Sequence, residues 1–180
     1  MSYDSIGRRY AQAIFEIARE ENAARPIAEQ MQRVADAYRG SDELATVLEN
    51  PLVPPDAREA IILEVADRLG VGQTGKKALR LVTQKRRLRA LPDTASHLGR
   101  LVDVAEKTLR AEVTSASPLS DAYLARLKSE LEKATQHTVL LTHSVDPSLI
   151  GGVITRIGDR VLDGSLRSGL TAFRDRALAN

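Results

Sequence analysis

One change of period, near residue 112, constrains this chain more than any other feature. Before it, apolar residues recur at three- and four-residue spacing; after it, short runs alternate between turn residues. The first stretch reads as six helical segments, at about 4–22, 27–39, 42–49, 56–69, 75–90 and 93–112. Pro26, Gly40, Asn50-Pro51, Pro54-Pro55, the glycines at 70, 72 and 75, and Pro92 punctuate it. Asp56 followed by Glu59 resembles a capping box. Connections this short set neighbouring helices antiparallel, which makes a bundle.

The second stretch has a different texture. Residues 113–117 lean to strand, and Ser120 is placed to cap a helix carrying Leu124, Leu127, Leu131 and Ala134. Residues 138–145 read as a strand. Residues 152–157 and 160–162 flank Gly158-Asp159, a pair suited to a tight hairpin. Asp163-Gly164-Ser165 then turns into a last helix with Leu166, Leu170, Phe173 and Ala177 on one stripe. The expected fold class is α+β: an N-terminal six-helix bundle over residues 1–109, then a small C-terminal α/β domain with a short mixed sheet over residues 110–180.

Composition narrows the function. A chain of 180 residues without cysteine excludes disulfides, zinc fingers, iron–sulfur clusters and thiol catalysis. Aromatics at 3% are too few for a base-stacking platform. No run approaches a membrane span, and residues 1–4 begin neither a signal peptide nor a transit segment. The expectation is a cytosolic protein that inserts in no membrane, with docking on a membrane complex left open.

Motifs for chemistry fail on inspection. Gly70-Val71-Gly72-Gln73-Thr74-Gly75-Lys76 fits a phosphate-loop spacing, but Lys77 stands where the magnesium-binding hydroxyl belongs, and a helix precedes it instead of a strand. His97, His137 and His143 show no metal spacing, and are expected to face solvent or lie in a strand. Asp146, Asp159 and Asp163 cluster at turns, where Asp caps backbone amides. No catalytic, cofactor or metal site is expected. The run from 76 to 89 carries seven basic residues and no acid. It reads as a solvated helix face or, as the alternative function, the anion-binding face of a nucleic-acid-binding adaptor.

The first helical segment is the most informative. At 100° per residue, Ile6, Tyr10, Ala13 and Ile17 fall on one line with Tyr3 and Ile14 beside it, and Ala18, Ala11 and Phe15 continue the same side. The apolar arc spans roughly half the circumference, against the ~100° stripe of a surface helix. Two readings are open. The helix is wedged between two bundle neighbours, or it meets the core with its Phe15 edge and offers its Tyr10 edge as half of a groove.

Further motifs carry a resemblance. Arg9-Tyr10-Ala11 with Ala13 and Phe15, Asn50-Pro51, and Arg89-Ala90-Leu91-Pro92 occur in order. Ser115-Ala116-Ser117-Pro118-Leu119 follows. Then come Val145-Asp146-Pro147-Ser148-Leu149-Ile150-Gly151-Gly152, Ile157-Gly158-Asp159 and Asp163-Gly164-Ser165-Leu166. Over essentially its whole length the sequence resembles the delta subunit family of bacterial F-type ATP synthase, the oligomycin-sensitivity-conferring protein family. That resemblance implies a non-catalytic stator subunit, peripheral on the cytoplasmic face of the bacterial inner membrane. It implies that the helical domain grips an amphipathic N-terminal helix of the alpha subunit with helices one and five, and that the C-terminal domain holds the b subunits of the peripheral stalk. The groove residues so expected are Ile6, Tyr10, Ala13, Ile14 and Ile17, with Leu79, Val82 and Thr83 from helix five. Nucleic acid is not an expected partner.

Overall fold

The computed structural model describes residues 3–158 and 160–165. Two compact units divide the chain, Met1–Ala105 and Glu106–Asn180.

The first unit holds six α-helices: α1 Tyr3–Glu20, α2 Ala24–Gly40, α3 Asp42–Glu49, α4 Pro55–Arg68, α5 Gln73–Gln84 and α6 Leu91–Ala105. A 3-10 turn, Leu88–Ala90, precedes α6. Apolar stripes of these helices converge on one core, with Met31, Val34, Ile62, Leu79, Leu98 and Val102 wholly enclosed. α1 packs chiefly on α6, and α5 on α4 and α2. Close approach of α1 to α6 depends on Gly7: a Cβ there would sit 2.7 Å from Asp93 Cβ and 2.9 Å from Thr94 N. An ion pair between Arg25 Nη1 and Asp103 Oδ1, 2.6 Å, ties the start of α2 to the end of α6.

Several local expectations are corrected. α5 does not run to residue 90. It ends at Gln84, Arg86 takes a left-handed φ of 52°, and residues 85–87 reverse the chain. The basic Lys85-Arg86-Arg87 therefore lies in a connection and not on a helix face. Gly75 belongs inside α5, buried against Val71, instead of breaking the chain. The Asp56–Glu59 capping box does not form, because Pro54 is the N-cap and Pro55 opens α4 without an amide to satisfy. Glu59 instead pairs with Arg80 at 2.6 Å. The sixth helix stops at Ala105 and not near 112. From residue 108, small buried residues at 111, 113 and 115 alternate with outward Arg110, Glu112 and Thr114, a period of two that a helix cannot serve.

The second unit is built on a four-stranded mixed sheet in the order β2-β1-β3-β4, with β1 Thr108–Ser115, β2 Thr138–Val145, β3 Val153–Ile157 and β4 Arg160–Asp163. β1 and β2 run parallel, Ala111 opposite Leu141; the other pairs are antiparallel, with Val113 opposite Thr155 and Arg156 opposite Val161. The parallel pair requires a crossover, and α7, Asp121–Thr135, supplies it. Ser120 Oγ accepts the Tyr123 amide at 3.3 Å and starts that helix. Gly152, at φ 87°, leaves no room for a side chain against the Gly164 carbonyl. The expected last helix and Asp159 lie outside the described residues.

Candidate functional site

The site is a groove between α1 and α5. On α1, the residues at 11, 14, 15 and 18 turn to the core, Ala11 and Ala18 without exposed surface and Phe15 8% exposed. One step round the helix the surface opens: Tyr10 is half-buried and still packs against the core, Ala13 is exposed and Ile17 49% exposed. Ile14 serves both, enclosed by the core yet flooring the groove.

α5 forms the other wall with Thr74, Lys77, Ala78 and Leu81. These sit at the helical spacing of one stripe, and Leu81 is 47% exposed. The groove encloses about 160 Å3. α1 packs chiefly on α6, and α5 on α4 and α2, which leaves this groove between them open. Two polar contacts fix one end of it, where α1 finishes and α5 begins. Thr74 Oγ1 donates to the Glu21 carboxylate, 2.8 and 3.0 Å from its oxygens, linking the two walls at the end of α1. The Gly72 amide donates to Gln30 Oε1 at 2.9 Å and fixes the start of α5 on α2.

The other end of α1 is pinned by His97. Arg100 Nη2 lies 3.0 Å from His97 Nδ1. A guanidinium only donates, so Nδ1 accepts and Nε2 carries the proton. Nε2 then donates to Asp4 Oδ1 at 2.7 Å. This bond, foremost, holds the Asp4 carboxyl below its ordinary range, with the nearby positive charges adding to it. His97 is thus buried and engaged, contrary to the expectation of a solvent-facing or strand histidine.

Four of the expected groove residues, Tyr10, Ala13, Ile14 and Ile17, come together here. Four do not. Ile6 is buried, 7% exposed, and lies off the groove. Leu79, Val82 and Thr83 form the core stripe of α5, all under 5% exposed, with Thr83 Oγ1 bonded back to the Leu79 carbonyl at 2.8 Å. The groove wall is the neighbouring stripe. Its polar Thr74 and Lys77 disguise it in sequence, and the signal that could have found it is Leu81, which lies ~200° from Leu79 and cannot share its core.

The remaining motifs find structural employment. The phosphate-loop lookalike follows α4, a helix, and its Lys76 is paired with Asp67. Asp146 and Asp163 accept from the amides of Ser148 and Ser165, each at 2.9 Å. Ser115 Oγ donates to the Ser117 carbonyl at 2.6 Å, so it accepts from His143 Nε2 at 2.7 Å. Among the described residues no three His, Asp or Glu side chains gather as a metal site. The basic run is no continuous stripe: Lys76, Arg80 and Arg89 are paired with Asp67, Glu59 and Glu49, and Lys77 lines the apolar groove.

Comparison with known proteins agrees with this architecture. The family model for the ATP synthase delta (OSCP) subunit matches residues 6–176. ATP synthase subunit delta of Moorella thermoacetica is 39% identical over 170 residues, covering 94% of each chain. That of Anaeromyxobacter dehalogenans strain 2CP-C is 38% identical over 174 residues, covering 97% of each. A chain in the mitochondrial ATP synthase hexamer of Toxoplasma gondii shares the fold, with a TM-score of 0.71, 19% identity, and coverage of 97% of this chain and 98% of that one. The chain belongs to the ATP synthase delta (OSCP) subunit family.

Proposed function

We propose that this chain is a non-catalytic stator subunit of an F-type ATP synthase, and that its α1–α5 groove holds an amphipathic helix at the N-terminus of an alpha subunit. One observation carries the reading: an apolar groove between two helices whose walls keep Ile17 and Leu81 about half exposed on a folded domain. Exposed apolar clusters of this kind serve as interaction sites, and an amphipathic helix fills them through anchors at i, i+3/i+4 and i+7. Lys77 at the wall favours a partner helix with an acidic residue beside its apolar face.

The division of labour follows the two units. The helical unit grips the catalytic head, and the sheet unit holds the b subunits of the peripheral stalk. Joined, they keep the head from turning with the rotor, so torque is spent on ATP synthesis. The subunit is peripheral, on the cytoplasmic face of a bacterial inner membrane. Among the described residues no helix is long and apolar enough to cross a membrane.

The test is capture from solubilised membranes of the source cell. The tagged full chain should recover alpha, beta and b subunits together. A folded fragment ending at residue 105 should recover the head without b. Recovery of RNA or DNA in place of these subunits, or loss of the head by a folded fragment, contradicts the proposal.

A further inference from the structure

A second cavity, about 330 Å3, opens elsewhere in the helical unit, where α3 ends and the α5–α6 connection passes over α4. Four arginines, Arg58, Arg86, Arg87 and Arg89, line it with a single carboxylate, Glu49. Glu49 is already engaged. The Tyr38 hydroxyl donates to its Oε1, and Arg89 approaches Oε2 with Nε at 2.7 Å and Nη2 at 2.6 Å. Those bonds, Tyr38's first, hold the Glu49 carboxyl below its usual range. Arg89 and Glu49 therefore neutralise one another.

Three guanidinium charges remain. Arg58 is 4% exposed; its Nε donates to the Val53 carbonyl at 3.1 Å, and its buried Nη2 has no hydrogen-bond partner. A buried, unsatisfied cationic donor is costly and rare in native proteins. Arg86 and Arg87 are exposed at the rim, and among the described residues neither guanidinium has a counter-ion. The connection turns at Arg86, which takes a left-handed φ of 52°, and both residues line the cavity.

We propose that this cavity binds a multiply charged phosphate-class oxyanion, with Arg58 as its buried anchor and Arg86 and Arg87 closing over it. Guanidinium forks match phosphate oxygens two at a time. A single carboxylate would leave two of the three charges unmatched, whereas pyrophosphate or the phosphate chain of a nucleotide matches them. This use of the basic run lies apart from the α1–α5 groove and does not depend on it.

The experiment is calorimetric titration of the full chain at physiological salt with inorganic pyrophosphate, and separately with ADP, alongside melting curves. Pyrophosphate should bind at one site and raise the melting temperature. The paired substitution Arg86→Ala with Arg87→Ala, at exposed positions, should weaken binding by about tenfold or more for each lost charged contact. Arg58→Gln should abolish it, and because that variant is buried the rim pair keeps the test independent of folding. Lys76→Ala, which removes one positive charge outside the cavity as Arg58→Gln does inside it, should change nothing. ADP that binds with the same arginine dependence and competes with pyrophosphate assigns a nucleotide's phosphate chain; pyrophosphate binding without ADP binding assigns the free anion. The proposal is overturned by the absence of saturable binding, by binding that survives loss of both rim arginines, or by an equal loss in Lys76→Ala.

Discussion

Thr74 on α5 donates its hydroxyl to the carboxylate of Glu21, the residue after α1, and so bridges the two walls of the apolar groove. Each wall packs chiefly on other helices, so this exposed bond is a direct restraint on groove width. A charge-assisted bond of this kind contributes about 1 kcal/mol at the surface. Thr74→Val should lower the melting temperature by no more than a few degrees and weaken helix-peptide capture several-fold. Melting and peptide titration of the one variant check both. Unchanged affinity would show that core packing alone sets the groove.

Two glycine-to-alanine changes should act with opposite sign. At Gly7 the new methyl meets backbone atoms of α6 at 2.9 Å, which cannot give way as a side chain tip can. Gly7→Ala should destabilise by roughly 1–3 kcal/mol through overpacking. At Gly40, the last residue of α2, nothing lies within 4 Å, and Ala should stabilise by up to about 1 kcal/mol. Urea midpoints of the two variants decide this.

The α1 anchor is pH-dependent. The Asp4 carboxyl is held below its ordinary range by the His97 bond, so folding favours its ionised form. A depressed folded value adds stability above the unfolded carboxylate range, and that contribution fades as pH falls through the folded value. Asp4→Asn should therefore be less stable than the parent at pH 6–7 and converge on it below about pH 4. Denaturation midpoints across that range test it; a difference that grows on acidification contradicts the assignment.

How far the sequence carries this account depends on the range of the interactions. Helix geometry separated Phe15 from Tyr10 on the α1 arc but left open whether the Tyr10 edge met a second bundle neighbour or formed a groove, and it did not tell Ile6, which is buried, from Ile17, which is exposed. The matching wall of α5 was not. Leu79 and Val82 are the more apolar stripe, and apolarity alone cannot distinguish a core face from a groove face when both are present. The strand at 108–115 was masked by residues such as Leu109 and Ala111 that suit helix and strand alike; its pairing with residues 138–145, a long-range event, decided the outcome. The Asp4–His97 bond joins residues 93 positions apart, and the Glu49–Arg89 pair joins residues 40 apart. No local spacing announces either.

The most direct measurement compares three full-length variants for folding and for binding a synthetic peptide of the alpha subunit's N-terminal helix. Tyr10→Asp and Leu81→Asp place a charge on opposite walls of the groove; Phe15→Asp places one in the core. The account predicts that the first two keep the parent's helical circular dichroism and a cooperative melt, yet lose about 2 kcal/mol or more of peptide affinity, roughly thirtyfold. Phe15→Asp should fail to fold. Parent-like peptide affinity in folded Tyr10→Asp and Leu81→Asp would contradict the assignment of the groove.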